Sequence, residues 1–179
     1  MNDKPARYQH VSWDDVPMSV ANLVQKMRDT RRGLYIHGAV GTGKTHIAYA
    51  IQDWFNKNQI WCRFENTTEL IFDIKADIGR EYMAKVNKAE SLSDFKGVLL
   101  LDDIGAERIT EYVAEVFYLI INKRYNEMLP TIFTSNLSLG QLAEKVGDRT
   151  ASRIIEMCDV VEIKGEDRRI AQAKTRKKV

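Results

Sequence analysis

Eight consecutive residues, Gly38, Ala39, Val40, Gly41, Thr42, Gly43, Lys44 and Thr45, meet every fixed position of the pattern G-x-x-x-x-G-K-[ST]. An apolar run ends just before them at His37, and a helical pattern begins at Lys44, the context a phosphate cradle needs. Glycines allow backbone N–H groups to turn inward around phosphate oxygens, and the helix that follows adds positive potential at its N-terminus. Lys44 is expected to reach the β- and γ-phosphates, and the Thr45 hydroxyl to take a Mg²⁺ position. His46 closes the candidate nucleotide-binding run. Neither His37 nor His46 has a sequence partner that would make it a base or a metal ligand.

A second set of reactive side chains follows Val98-Leu99-Leu100-Leu101, where Asp102 and Asp103 end a short apolar run. Two carboxylates at the C-terminal end of a buried strand sit where open α/β sheets bind ligands. Asp102 is the candidate for holding hydrated Mg²⁺ opposite Thr45, and Asp103 for orienting or deprotonating the attacking water. Alone, such a pair reads equally well as a turn or a helix cap. Beside a phosphate loop, the chemical reading gains the weight.

These groups need a frame. Apolar runs suited to buried strands recur at Leu34–His37, Ile60–Phe64, Val98–Leu101, Thr131–Thr134 and Val160–Ile163. Between them, Ile47, Ala48, Ile51, Trp54 and Phe55 keep helical spacing, and so do Val113, Val116, Phe117, Ile120 and Ile121. A longer helical stretch runs from Leu70 to Ala89 with Gly79 as a break, and Val20, Leu23, Val24 and Met27 mark a short helix before the first strand. Alternating strand and helix signals define an α/β fold with a mostly parallel sheet. The expected division is an N-terminal segment over 1–32, a nucleotide-binding core over 33–170 and a basic tail over 171–179.

The chain has 179 residues, 44% hydrophobic and 29% charged, which suits one globular domain and excludes a disordered or collagen-like polymer. Its longest apolar run, Val116–Ile121, is too short to span a bilayer, and the start MNDKPARYQH lacks the apolar centre of a signal peptide. Cys62 and Cys158 are too few for a disulfide framework and read as small buried hydrophobes. A cytoplasmic protein with no membrane partner is expected. From Lys164 onward seven basic residues face Glu166 and Asp167, giving +5 and leaving −3 for the rest of a chain whose net charge is +2. A basic tail on an acidic body permits nucleic-acid contact.

Taken together, GAVGTGKTHIA (38–48), VLLLDDIGAER (98–108), TIFTSNLS (131–138) and GDRTASRI (147–154) resemble the AAA+ ATPases of the DnaC/DnaI helicase-loader and IstB group. The resemblance covers about residues 8 to 170. It implies a five-stranded parallel sheet with the acidic strand central, and ATP binding and hydrolysis, with ATP/ADP and Mg²⁺ as ligands, coupled to work on DNA; the short stretch after Arg169 leads to the separate expectation of little or no C-terminal lid. Asn136 falls at the group's sensor-1 position; the plain alternative is an Asn capping the helix that begins near Leu139. Arg153 matches the arginine presented to the ATP of an adjacent subunit, with Arg149 as the near alternative and a shared helix face as the plain one. Arg169, or Arg168, resembles the sensor-2 arginine.

The resemblance also implies an ATP-dependent oligomer of this chain, single-stranded DNA, and either a replicative helicase or a transposase as partners. The DNA-contacting element is expected over 67–90, where Lys75, Arg80, Lys85 and Lys88 would meet phosphates and Tyr82 would stack on a base. Five acids in that stretch make a solvated helix the competing reading. Two departures matter. Asp103 stands where many AAA+ proteins carry Glu, so a nucleotide-dependent binding module with little turnover is a rival class. Only 33 residues precede Leu34, leaving no room for the separate N-terminal domain of such loaders, so a fragment or a minimal member is expected. A small-molecule P-loop kinase is disfavoured, because no lid pattern accompanies the loop.

Overall fold

The structure, a computed structural model, describes residues 4–76, 82–106, 109–165 and 167. Arg80, Arg168, Arg169 and the tail 171–179, with the lid expectation attached to it, lie outside the described residues. So do the side chains of Lys75, Tyr82 and Lys85.

Five strands form one fully parallel sheet: β1 (Gly33–His37), β2 (Cys62–Asn66), β3 (Val98–Asp102), β4 (Thr131–Ser135) and β5 (Cys158–Glu162), in spatial order β2-β3-β4-β1-β5. Seven α-helices are described: α1 (Met18–Thr30), α2 (Lys44–Lys57), α3 (Thr67–Ala76), α4 (Tyr82–Asp94), α5 (Glu111–Asn126), α6 (Leu139–Val146) and α7 (Asp148–Met157). The acid-ending strand β3 is interior, between β2 and β4, but β4 holds the middle of the sheet. The strands differ from the apolar runs by one or two residues at their ends, most at β2 and β5. β2 runs on to Asn66, because its charged Arg63 and Glu65 still pair with β3 at the edge of the sheet. β5 starts earlier, because the half-exposed Asp159 pairs with Leu34.

The alternation of strand side chains sorts the core into two layers. Leu34, Ile36, Val98, Leu100 and Ile132 point to one face and pack with Val20, Val24, Met27, Ile47, Ile51 and Phe55 of α1 and α2. Tyr35, Leu99, Leu101 and Phe133 point to the other and pack with residues of α3 to α7. Each fully buried Leu, Ile or Phe of this kind stabilises the fold by about 1.5–3 kcal/mol. Because α2 covers one face and the later crossover helices cover the other, the chain reverses its winding at β1. Ligands bind at such a point, outside the carboxyl ends of the strands. Among the described residues no helix is long and apolar enough to cross a membrane.

The opposite end of the sheet holds a buried charge that sequence spacing did not single out. Arg124, at the end of α5, is fully buried. Its Nε donates to Thr131 Oγ1 at 2.8 Å, one terminal nitrogen to the carbonyls of Leu92 and Phe95 at 3.0 and 2.7 Å, and the other to those of Gly97 and Pro130, both at 3.0 Å. All five guanidinium donors are thus used. They tie the C-terminus of α4 to the starts of β3 and β4.

Candidate functional site

The phosphate loop links β1 to α2. Gly41 and Gly43 adopt φ of +79° and +96°, the left-handed region where a Cβ is disfavoured. A Cβ on Gly41 would also run into the Asp167 carboxyl, so Asp167 lies against the loop. Lys44 is buried, and its Nζ donates to the carbonyls of Gly38 and Ala39, both at 2.8 Å. The Thr42 hydroxyl donates to Ala39 O at 2.9 Å and holds the loop's shape from within.

Across from the loop, Asp102 is buried at the tip of β3. Its Oδ2 accepts from the Thr45 hydroxyl at 3.0 Å and its Oδ1 from the Thr134 hydroxyl at 2.6 Å. Burial pushes the Asp102 carboxyl above the usual carboxylate range, opposed by those two hydroxyls and by Lys44, while Asp103 adds to the rise. A cation beside this carboxylate would favour its charged form. A hydroxyl and a carboxylate oxygen 3.0 Å apart, both hard donors, suit Mg²⁺, which binds through one or two protein oxygens and otherwise through water and phosphates. Bound there, Mg²⁺ would neutralise charge developing on the phosphate oxygens.

Asp103 has φ +63°, a left-handed turn directly after the strand. Its Oδ1 accepts from Asn136 Nδ2 at 2.8 Å, and its N–H donates to Thr134 Oγ1 at 2.8 Å. Asn136 therefore faces the second acid. Helix α6 is capped by Ser138, whose hydroxyl and Gln141 form a reciprocal capping box, so the alternative of an Asn136 cap is replaced. Serine followed three residues later by glutamine was the available signal. Ser135, pointing the other way, donates to Ile104 O at 2.6 Å, and Lys145 reaches Gly105 O at 2.6 Å. Both fix the loop that carries Asp103.

His46 has a partner after all: its Nε2 lies 3.0 Å from Asp15 Oδ2. The 3-10 turn Trp13–Asp15 is thereby fastened to the first turn of α2, aided by stacking of Trp13 on Trp54. Nothing in the spacing of residues 15 and 46 announces this.

The remaining candidates lie apart from the loop. Arg153 is on α7 but turned onto α5: its Nε donates to Asn122 Oδ1 at 2.6 Å, and the guanidinium carbon stands 4.9 Å from the Tyr118 ring centroid. Arg149 is exposed one turn earlier, and its carbonyl accepts from Arg153 at 3.1 Å. Lys88 pairs with Glu65 at 3.2 Å and lies 3.8 Å from Asp73. At that one residue the cation is already matched by carboxylates, as the solvated-helix reading expects. Thr67, the first residue of α3, donates to Asp102 O at 2.8 Å, a tie from that stretch to the acid strand.

A parallel sheet with this strand order, a phosphate loop after β1 and paired acids after β3 define a P-loop protein of the AAA+ type. The chain belongs to the family of IstB-like ATP-binding proteins, whose model matches residues 18–176. It is 29% identical over 152 residues to the replicative helicase loader DnaI of Bacillus subtilis (strain 168), covering 77% of this chain and 48% of that protein. It is 26% identical over 149 residues to an insertion-sequence ATP-binding protein of Geobacillus stearothermophilus, covering 80% and 58% of the two chains. The crystal structure of the DnaC helicase loader superposes with a TM-score of 0.75 at 29% identity, covering 89% of this chain and all of that one. This chain therefore spans about half the length of the two sequence relatives.

Proposed function

We propose that this protein is a slow, oligomer-dependent ATPase that acts on single-stranded DNA in the manner of a helicase loader, in the cytoplasm. The observation that carries the reading is the convergence, at one sheet edge, of Lys44, the Thr45–Asp102 pair and the Asn136–Asp103 pair. In this reading the backbone of residues 38–46 cradles the phosphates. Lys44 leaves the loop carbonyls for the β- and γ-phosphates of ATP. Asp102 and Thr45 hold Mg²⁺, and Asp103, oriented by Asn136, takes the proton of the attacking water. Arg153 of a neighbouring copy supplies positive charge to the phosphates, so ATP favours the assembled state. Arg169, Lys75, Arg80 and Lys85 remain candidate contacts to nucleotide and DNA.

The test is ATP hydrolysis against protein concentration, with and without single-stranded DNA, for the wild type and Arg153→Ala. A rate per protomer that rises with concentration and with DNA, and falls about 10³-fold in the variant, supports the reading. A low rate indifferent to all three, with ATP still bound, identifies a nucleotide-dependent binding module instead. A second reading, a transposition helper, is favoured by the family match and the insertion-sequence relative. Capture of purified replicative helicase rather than purified transposase by the ATP-bound protein separates the two.

A further inference from the structure

One buried hydroxyl holds both acids of the site. Thr134, near the end of β4, is 1% exposed. Its Oγ1 gives its single proton to Asp102 Oδ1 at 2.6 Å and accepts the Asp103 N–H at 2.8 Å. A hydroxyl is the smallest group able to donate and accept at once, and the direction of each bond is fixed because a backbone N–H can only donate. The two oxygens of Asp102 thereby become inequivalent. Oδ1 is pinned from β4, while Oδ2 is left facing Thr45 across 3.0 Å. Thr134 and Asn136, two residues apart across the end of β4, both turn toward Asp103. One of them grips the backbone of Asp103 and the other its side chain.

We propose that Thr134 is a positioning residue that orients both acids together, aiming Asp102 at Thr45 and locking the left-handed turn that presents Asp103 to Asn136. This rests on the reading that the two acids serve ATP hydrolysis. Without the hydroxyl, the Asp102 carboxylate turns about its terminal bond, and the Asp103 amide loses the acceptor that holds its turn. Valine keeps the shape of threonine and removes the hydroxyl; serine keeps the hydroxyl and removes a methyl.

The experiment compares wild type, Thr134→Val, Thr134→Ser and Asp102→Asn. It measures the Mg²⁺ dependence of binding of a fluorescent ADP, the affinity for the same ADP in excess chelator, hydrolysis of ATP, and hydrogen exchange at the Asp103 amide in the nucleotide-free protein. Outer partners of metal-binding side chains typically matter by about 10–100-fold in metal affinity or activity. Thr134→Val is accordingly expected to raise the half-saturating Mg²⁺ and lower kcat by about tenfold or more. Its affinity for metal-free ADP stays at the wild-type value and the Asp103 amide exchanges faster. Thr134→Ser returns all of these toward wild type.

A Thr134→Val protein with wild-type Mg²⁺ dependence and amide exchange overturns the proposal. So does one that loses metal-free ADP binding together with its folded structure, if Thr134→Ser does the same, because that pattern marks a packing role. If Asp102→Asn itself leaves the Mg²⁺ dependence untouched, the reading of the acids fails, whatever Thr134 does.

Discussion

The two ends of this sheet each bury charge beside backbone carbonyls, yet they differ in what is left over. At the amino edge, Arg124 spends all five donors on four carbonyls and the Thr131 hydroxyl. At the carboxyl edge, Lys44 rests on two carbonyls of its own loop, and the Asp102 carboxylate takes two hydroxyl protons out of about four acceptor positions. A saturated network makes a fixed joint. A network whose members can trade partners can receive a ligand. The same strand serves both, for β4 opens with Thr131 under Arg124 and closes with Thr134 over the acids.

The contrast can be broken first at the carboxyl edge. Lys44→Ala and Asp103→Asn are each expected to lower ATP hydrolysis by about 10²–10³-fold. Urea unfolding should at the same time move by no more than about 1 kcal/mol. A comparable loss of stability would mean that this edge is also a structural joint. At the amino edge the pattern reverses. Arg124→Met removes five hydrogen bonds, leaving Pro130 O with only the Leu99 N–H, and should reduce unfolding free energy by about 3–5 kcal/mol, while nucleotide affinity of the folded fraction stays unchanged. Retention of wild-type stability by that variant would remove the distinction.

A finer test uses Tyr35, whose hydroxyl donates to Leu137 O at 2.9 Å and so braces the chain leaving β4. Burial raises its pKa to about 12 from the ordinary 10.0, slightly opposed by Ser135. The folded protein therefore keeps this proton in a range where the unfolded chain loses it. The contribution is complete below pH 10 and is lost as pH rises towards about 12. Tyr35→Phe should be less stable than wild type by about 1 kcal/mol near neutrality, and the gap should close over that alkaline window in paired denaturation curves. A gap that widens with pH would contradict the assignment.

The sequence disclosed the carboxyl edge far better than the amino edge, for a physical reason. Phosphate chemistry needs particular side chains at fixed spacing, so Gly38 to Thr45 and Asp102–Asp103 can be read without a structure. The family resemblance then added Asn136, which the structure sets against Asp103. Arg124 is bound mainly by backbone carbonyls, which every residue has, so no side-chain pattern marks it. Its one trace is position: it extends the buried stripe of Val113, Phe117 and Ile120 by a further turn. Thr134 was hidden inside an apolar run, and the His46–Asp15 pair joins residues whose separation carries no periodic meaning. Partnerships across the fold stay silent until the chain is folded; chemistry confined to one loop does not.

The left-handed backbone at Asp103 bears on which residue can occupy that position. Two demands meet there, the carboxylate that the proposed hydrolysis calls for and a main chain of φ +63°. Glycine and asparagine satisfy the second demand and not the first. Glutamate satisfies the first but sits in the left-handed region at a penalty of about 1–2 kcal/mol. Aspartate alone meets both at little strain. The shape of the turn thus favours the shorter acid at this position, and replacing Asp103 with glutamate would strain the backbone before it changed the chemistry.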